Sequence, residues 1–289
     1  MAAKPRLIAI VGPTASGKTS LAIDIAKEWN GEIICADSRT IYKEMDIGTA
    51  KPTAEEQAIV PHWGIDLVEP GEAFSAADFQ AYAKHAIADI QSRGKLPIIA
   101  GGTGLYVDAV LYDFTFGPPA DSNGRAELEA MSIEALIEYC KQNNIQLPEN
   151  HKNKRHLVRA VERKSISGIS KSPLPNGYIV VGLATKMLTL RTRIINRTEQ
   201  LFELGVEKEA TLLGKKYGWD SEAMTGNIYP LMHRYLLGEL SLEEIRDLFT
   251  TADYQLAKRQ MTWFRRNPDI MWTRLTEARG YIQTLLASE

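Results

Sequence analysis

Apolar positions along this chain fall into two patterns, short unbroken runs and longer stretches at helical spacing. Leu7-Ile-Ala-Ile-Val11 is unbroken, as in a strand covered on both faces of a parallel sheet. Ile33-Ile-Cys-Ala36 and Leu96-Pro-Ile-Ile-Ala100 repeat that pattern, Trp63-Gly-Ile-Asp-Leu67 follows it more weakly, and Tyr178-Ile-Val-Val-Gly-Leu183 returns to it late. Between these runs the period becomes helical. A helix is expected over about 19–29 and another over 75–93, the latter with Ser75 as N-cap, Asp78 three residues on, and Gly94 as its stop. Strands alternating with helices predict an α/β fold, a doubly wound parallel sheet. Beyond the last strand the pattern predicts helices over 189–204, 206–217, 229–237, 241–266 and 276–286.

The stretch 121–175 breaks this alternation. Its part 141–171 holds Lys or Arg at 141, 152, 154, 155, 159, 163, 164 and 171 against Glu149 and Glu162, a local charge of +6. The turn-rich Gly117-Pro-Pro and Ser172-Pro-Leu-Pro-Asn-Gly177 bound it. We read 121–175 as a helical insert with a basic face, and 1–120 with 176–289 as the α/β core with C-terminal helices.

Composition narrows the class without naming it. The 289 residues are 44% hydrophobic and 24% charged, which excludes a disordered chain. A formal charge of −2 excludes a wholesale polycation, yet it averages the +6 segment against −8 elsewhere. Two cysteines, Cys35 and Cys140, are too few for a disulfide framework, and we expect both to be buried apolar residues of a reducing compartment. No apolar run is long enough to span a bilayer, so a cytoplasmic protein without membrane contact is expected. No zipper repeat stands out, so a monomer is expected.

The candidate chemistry begins after the first strand. Gly12, Pro13, Thr14, Ala15, Ser16, Gly17, Lys18 and Thr19 satisfy G-x-x-x-x-G-K-[ST] between an expected strand and helix, the context of a phosphate-binding P-loop. In such a loop backbone N–H groups turn inward on phosphate, the helix start adds its positive end, Lys18 supplies a cation and Thr19 places a hydroxyl on Mg²⁺. Asp37 leaves the second strand at the carboxyl edge of the sheet, where a carboxylate can hold Mg²⁺ through water or take a proton. Gly101-Gly-Thr-Gly-Leu105 repeats the strand-then-glycine device and could complete a channel.

Four blocks together carry a family resemblance: 12–19, Ala36-Asp-Ser-Arg-Thr-Ile-Tyr-Lys-Glu-Met-Asp-Ile-Gly-Thr-Ala-Lys-Pro52, Gly101-Gly-Thr-Gly-Leu-Tyr106 and Gln255-Leu-Ala-Lys-Arg-Gln-Met-Thr-Trp-Phe-Arg265. The chain resembles the tRNA dimethylallyltransferases, also called tRNA delta(2)-isopentenylpyrophosphate transferases. The resemblance implies a P-loop NTPase-like core holding the diphosphate of dimethylallyl diphosphate, with Mg²⁺. It implies transfer of the dimethylallyl group to N6 of adenosine 37 beside the tRNA anticodon, with Asp37 as base. By matching position it implies tRNA contact at Asp37, Ser38, Arg39 and Thr40, at Thr103, at Arg125, and at the insert block Lys154, Arg155, His156, Leu157 and Val158, where Lys154 replaces the family's Gln. The insert would then grip the anticodon stem-loop while the target base is flipped. Arg193, Lys258 and Arg259 are weaker candidates for the same centre.

The chain departs from the family in two places. Met224-Thr-Gly-Asn-Ile-Tyr-Pro230 stands where Ala-Ile-Gly-Tyr-Arg/Lys is usual, and Asp253-Tyr254 where Thr-Arg is usual, so two cationic positions are missing. Three other readings stay open on sequence alone: an adenylate isopentenyltransferase acting on a free nucleotide, a P-loop small-molecule kinase, and a non-catalytic tRNA-binding protein.

Overall fold

The computed structural model describes residues 6–116, 122–148, 151–163 and 170–287. Its chain contacts group into two units, Met1–Tyr112 with Pro173–Glu289, and Asp113–Ser172.

The first unit opens with β1 (Leu7–Val11), α1 (Lys18–Glu28), β2 (Gly31–Cys35), α2 (Ala54–Ile59), β3 (His62–Trp63), α3 (Ala76–Ser92), β4 (Leu96–Gly101) and α4 (Gly104–Leu111). Of the second unit, α5 (Ser122–Ala130), α6 (Ile133–Gln142) and α7 (Lys154–Arg163) are described. The first unit resumes with β5 (Tyr178–Leu183), α8 (Met187–Glu203), α9 (Val206–Tyr217), a 3-10 turn at Glu222–Thr225, α10 (Tyr229–Leu236), α11 (Leu242–Phe264), β6 (Met271–Thr273) and α12 (Leu275–Ala287). The strands form one all-parallel sheet in the order β3-β2-β4-β1-β5-β6.

The unbroken apolar runs are the strands whose two faces are covered. Every residue of β1 is buried, and Ile8, Ile10, Ile33, Ile98 and Val181 pack with Leu21 and Ile25 of α1 and Ile282 of α12. Helix starts are encoded locally. Ser75 and Asp78 form a capping box at α3, and Ser241 with Glu244 does the same at α11, each pairing two backbone N–H groups that a helix start leaves open.

The strand expected over 63–67 is corrected: β3 is only His62–Trp63. Gly64 at φ 81° and Asp66 at φ 53° turn the backbone out of the extended region, and the Leu67 and Val68 amides donate to Ile41 O instead. Helices α2 and α4, the 3-10 turn and the three-residue edge strand β6 went unread. The two cysteines are buried free thiols. Among the described residues no helix is long and apolar enough to cross a membrane.

The second unit has its own small core of Leu136, Cys140, Ile145, Leu157, Val158 and Val161. Its charge is partly neutralised inside: Glu162, 7% exposed at the side chain, is paired by Arg125 and Arg159.

Candidate active site

Strand order places the site. The chain leaves β1 for β2, beyond β4, and returns to β1's other side only at β5, so the carboxyl ends of β1, β4 and β2 open on one crevice. The loop after β1 is 12–17. Arg193 Nη1 donates to the carbonyls of Ala15 and Ser16 at 3.2 and 3.1 Å. In trans peptides those carbonyls point opposite to the N–H groups of Ser16 and Gly17, so α8 holds the loop by its outer face. Ala15 sits at φ 59°, which turns the loop tightly for a non-glycine.

The loop after β4 meets the loop after β2. Gly101 is required by close approach, since a Cβ there would lie 2.1 Å from Ala36 O. Thr103 N donates to Ala36 O at 3.1 Å, and Ser38 N donates to Thr103 Oγ1 at 3.0 Å. Asp37 is held by the Arg39 amide, which donates to its Oδ1 at 2.9 Å.

A cavity of about 640 Å³ joins these parts, lined by residues 14–19, Asp37, Ser38, Arg39, Thr40, Thr103, Arg197, Arg259 and Gln260, and by a wall from Gly48 to Pro52. Lys18 is half-buried on the cavity wall, and its desolvation drives its pKa down to about 8; Asp37 opposes that shift and Arg197 adds to it. Its Nζ folds back on Pro13 O at 2.7 Å. Ser16 Oγ and Arg197 Nε are buried polar atoms with no hydrogen-bond partner, although such atoms are normally paired. Both belong to residues lining the cavity, which fits a polyanionic occupant. Cys35 also lines it, but burial pushes its thiol up to about 12, so no thiolate chemistry operates there.

Several expected residues are placed differently from one another. Of 12–19, residues 14–19 line the cavity, and Gly12 and Pro13, both buried, join them to β1. Arg39 lines the cavity but spends its guanidinium on Glu222 O and Thr225 Oγ1, and Thr40 is 5% exposed. Arg193 supports the loop, Arg259 lines the cavity, and Lys258 stands off it, over the Tyr254 ring. In the second unit Arg125 pairs with Glu129 and Glu162, and Lys154 Nζ donates to Glu129 O. Leu157 and Val158 are core side chains there, His156 is exposed, and the Arg155 side chain lies outside the described residues.

Four residues were not read as part of the site. Arg197, one helical turn from Arg193, donates to Thr14 Oγ1; the i, i+4 spacing was the available signal. Gln260 Oε1 accepts from Thr14 N at 2.7 Å, pinning the P-loop to α11. Asn227 and Asp253, one from each departure from the family pattern, meet at 2.8 Å, Nδ2 to Oδ1. Burial raises the pKa of Asp253, against the pull of Arg197 and the Asn227 bond.

Comparisons with known proteins agree on the family. The family model described as IPP transferase matches residues 40–267, and one described as isopentenyl transferase matches residues 5–64. The tRNA dimethylallyltransferase of Bacillus cytotoxicus is 38% identical over 95% of this chain and 92% of its own length. That of Halalkalibacterium halodurans is 39% identical over the same shares. Among solved structures, a tRNA isopentenylpyrophosphate transferase from Bacillus halodurans is 38% identical with a TM-score of 0.75, covering 98% of this chain and 97% of that one. A eukaryotic dimethylallyltransferase acting on tRNA shares the fold, with a TM-score of 0.82 at 22% identity over 96% of this chain and 77% of its own.

Proposed function

The chain belongs to the IPP transferase family, and on that premise we propose that it transfers the dimethylallyl group of dimethylallyl diphosphate to N6 of adenosine 37 in tRNA, releasing diphosphate. The observation that carries this reading is a single cavity lined both by an anion-binding loop and by a carboxylate, Asp37.

Breaking the allylic C–O bond puts negative charge on the diphosphate and positive character on the allyl carbon. The loop amides, Lys18 and Arg197 stabilise the first, and their arrangement before reaction is what makes them effective. Arg193 and Gln260 hold the loop in that shape. N6 forms the new N–C bond, and the proton it becomes ready to lose passes to Asp37. An exocyclic amine is a weak nucleophile, so a positioned base is useful at that moment.

Thr19, with the diphosphate itself, would hold Mg²⁺. The described residues contain no cluster of three or more His, Cys, Asp or Glu that could cage a cation without the substrate, which fits an ion bound chiefly through phosphates. When bound, Mg²⁺ would offset charge on the departing diphosphate.

We assign the anticodon stem-loop to the insert 121–175, on its +6 segment. In that assignment Ser38 and Thr103 meet the target nucleotide, and Lys154, Arg155 and His156 meet the phosphates. The enzyme works as a monomer in the cytoplasm, where tRNA is available and free thiols persist.

Labelled dimethylallyl diphosphate, incubated with the protein and either tRNA or AMP, tests the reading. Label should enter tRNA alone. Its entry into AMP, or ATP turnover without prenyl transfer, would replace this reading with a free-nucleotide transferase or a kinase. Raising salt should weaken tRNA binding steeply and donor binding little, through counterion release at the insert.

A further inference from the structure

The segment Met45–Pro52 belongs to the longest of the four blocks that carry the family resemblance, yet no chemical step above uses it. The structure shows what shapes it. The amides of Asp46 and Ile47 donate to Glu209 Oε2 at 2.9 and 2.7 Å, the amide of Gly48 donates to Oε1 at 2.8 Å, and Tyr229 Oη donates to Oε1 at 2.9 Å. Three successive N–H groups thus form a concave nest around one carboxylate, with two donors on each oxygen. The loop closes behind it through Ala50 N to Ile47 O at 2.9 Å and Lys51 N to Asp46 O at 3.0 Å. Gly48 admits no side chain, because a Cβ would lie 2.6 Å from Tyr229 Oη.

Beyond the nest, Gly48, Thr49, Ala50 and Pro52 line the cavity, as does Tyr229, whereas Glu209 does not. Lys51, 7% exposed, anchors the same turn to Asp46 and Asp66. We propose that Glu209 is a positioning residue for the donor: its carboxylate fixes the loop 46–48 from α9 and thereby sets the cavity wall formed by Gly48 to Pro52. The inference rests on the donor being dimethylallyl diphosphate bound in this cavity.

Charge and two acceptor oxygens are both needed. A glutamine at 209 would turn an NH₂ toward two of the four donors, so the nest cannot close around it. Tyr229→Phe removes one donor and leaves the three amides.

The test compares wild type, Glu209→Gln and Tyr229→Phe, each shown folded by a thermal melt. Equilibrium binding of dimethylallyl diphosphate is measured first, then steady-state tRNA prenylation with each substrate varied. Glu209→Gln should weaken donor binding, and raise its KM, by about ten-fold or more, since bonds to a charged acceptor are lost. The tRNA KM should stay within about two-fold and kcat within about three-fold, because neither the base nor the tRNA contacts change. Tyr229→Phe should shift donor binding the same way by about three-fold. Unchanged donor affinity in folded Glu209→Gln would overturn the proposal, as would equal loss in donor KM, tRNA KM and kcat. If wild type binds donor without prenylating tRNA, the functional reading fails, and the binding comparison still decides the role of Glu209.

Discussion

A carboxylate lies toward each edge of the sheet along β2, Glu32 near its start and Asp37 two residues past its end, and their surroundings are opposite. Glu32, 1% exposed, accepts from Arg93 Nη1 and Nη2 at 2.5 and 2.8 Å, from Lys95 Nζ at 2.7 Å and from Trp63 Nε1 at 2.8 Å. Asp37 takes the amide of Arg39 and lines the cavity beside Lys18. A buried charge surrounded by donors ties α3, β3 and β4 together and has no capacity left for a reacting proton. One with an oxygen on a cavity can accept a proton during reaction. The same residue chemistry therefore serves structure at the amino edge of the sheet and catalysis at its carboxyl edge.

The largest expected effect breaks the catalytic half. Asp37→Ala should lower tRNA prenylation by at least about a hundred-fold while leaving tRNA binding and the melting midpoint nearly unchanged; steady-state kinetics and a filter-binding assay check it. Glu32→Ala should do the reverse. It should cost about 3 kcal/mol of stability, as removing one member of a buried ion pair does, with kcat/KM per folded molecule retained; urea unfolding beside kinetics checks it. The Arg93 bonds, followed by those of Lys95 and Trp63, hold the Glu32 carboxyl down to about 2. A depressed carboxylate stabilises the fold above its unfolded pKa, so this contribution should be intact above about pH 4.5 and fade as the pH falls toward 2.

What the sequence made legible was what lies close together along it. The P-loop is written in eight consecutive residues, and Asp37 follows its strand by two. The pairings that hold the site are long-range: Arg197 to Thr14, Gln260 to Thr14, Asn227 to Asp253, Glu209 to 46–48. No local period encodes them. The two departures from the family pattern looked like separate losses of positive charge, and the fold brings them into one hydrogen bond. Helix α4 escaped notice because its near-continuous apolar run Leu105-Tyr-Val107 and Ala109-Val-Leu111 lacks a polar face. Trp263 and Phe264, adjacent on α11, divide as their spacing required: Phe264 is fully buried and Trp263 is 38% exposed, bonded to Asp108.

Two smaller effects sharpen the contrast. Because burial brings Lys18 to about 8, donor capture should weaken above that pH as the ammonium is lost. The donor KM should rise by up to about ten-fold for each further pH unit, read from a pH series at fixed tRNA; a flat profile to pH 9.5 would remove Lys18 from donor capture. At the other edge, Trp63→Phe deletes one of the four bonds to Glu32 and should cost about 1 kcal/mol without altering the profile of Lys18, read from denaturant midpoints.

The central claim is that the cavity joining the phosphate loop to Asp37 performs prenyl transfer to tRNA. Its most direct test is a single-turnover reaction of wild type and Asp37→Asn with labelled dimethylallyl diphosphate and tRNA, followed by nucleoside mass analysis. Wild type should give N6-dimethylallyladenosine at position 37 and the variant almost none, although the variant still binds donor. Equal product from both proteins, or label on any acceptor other than that adenosine, would contradict it.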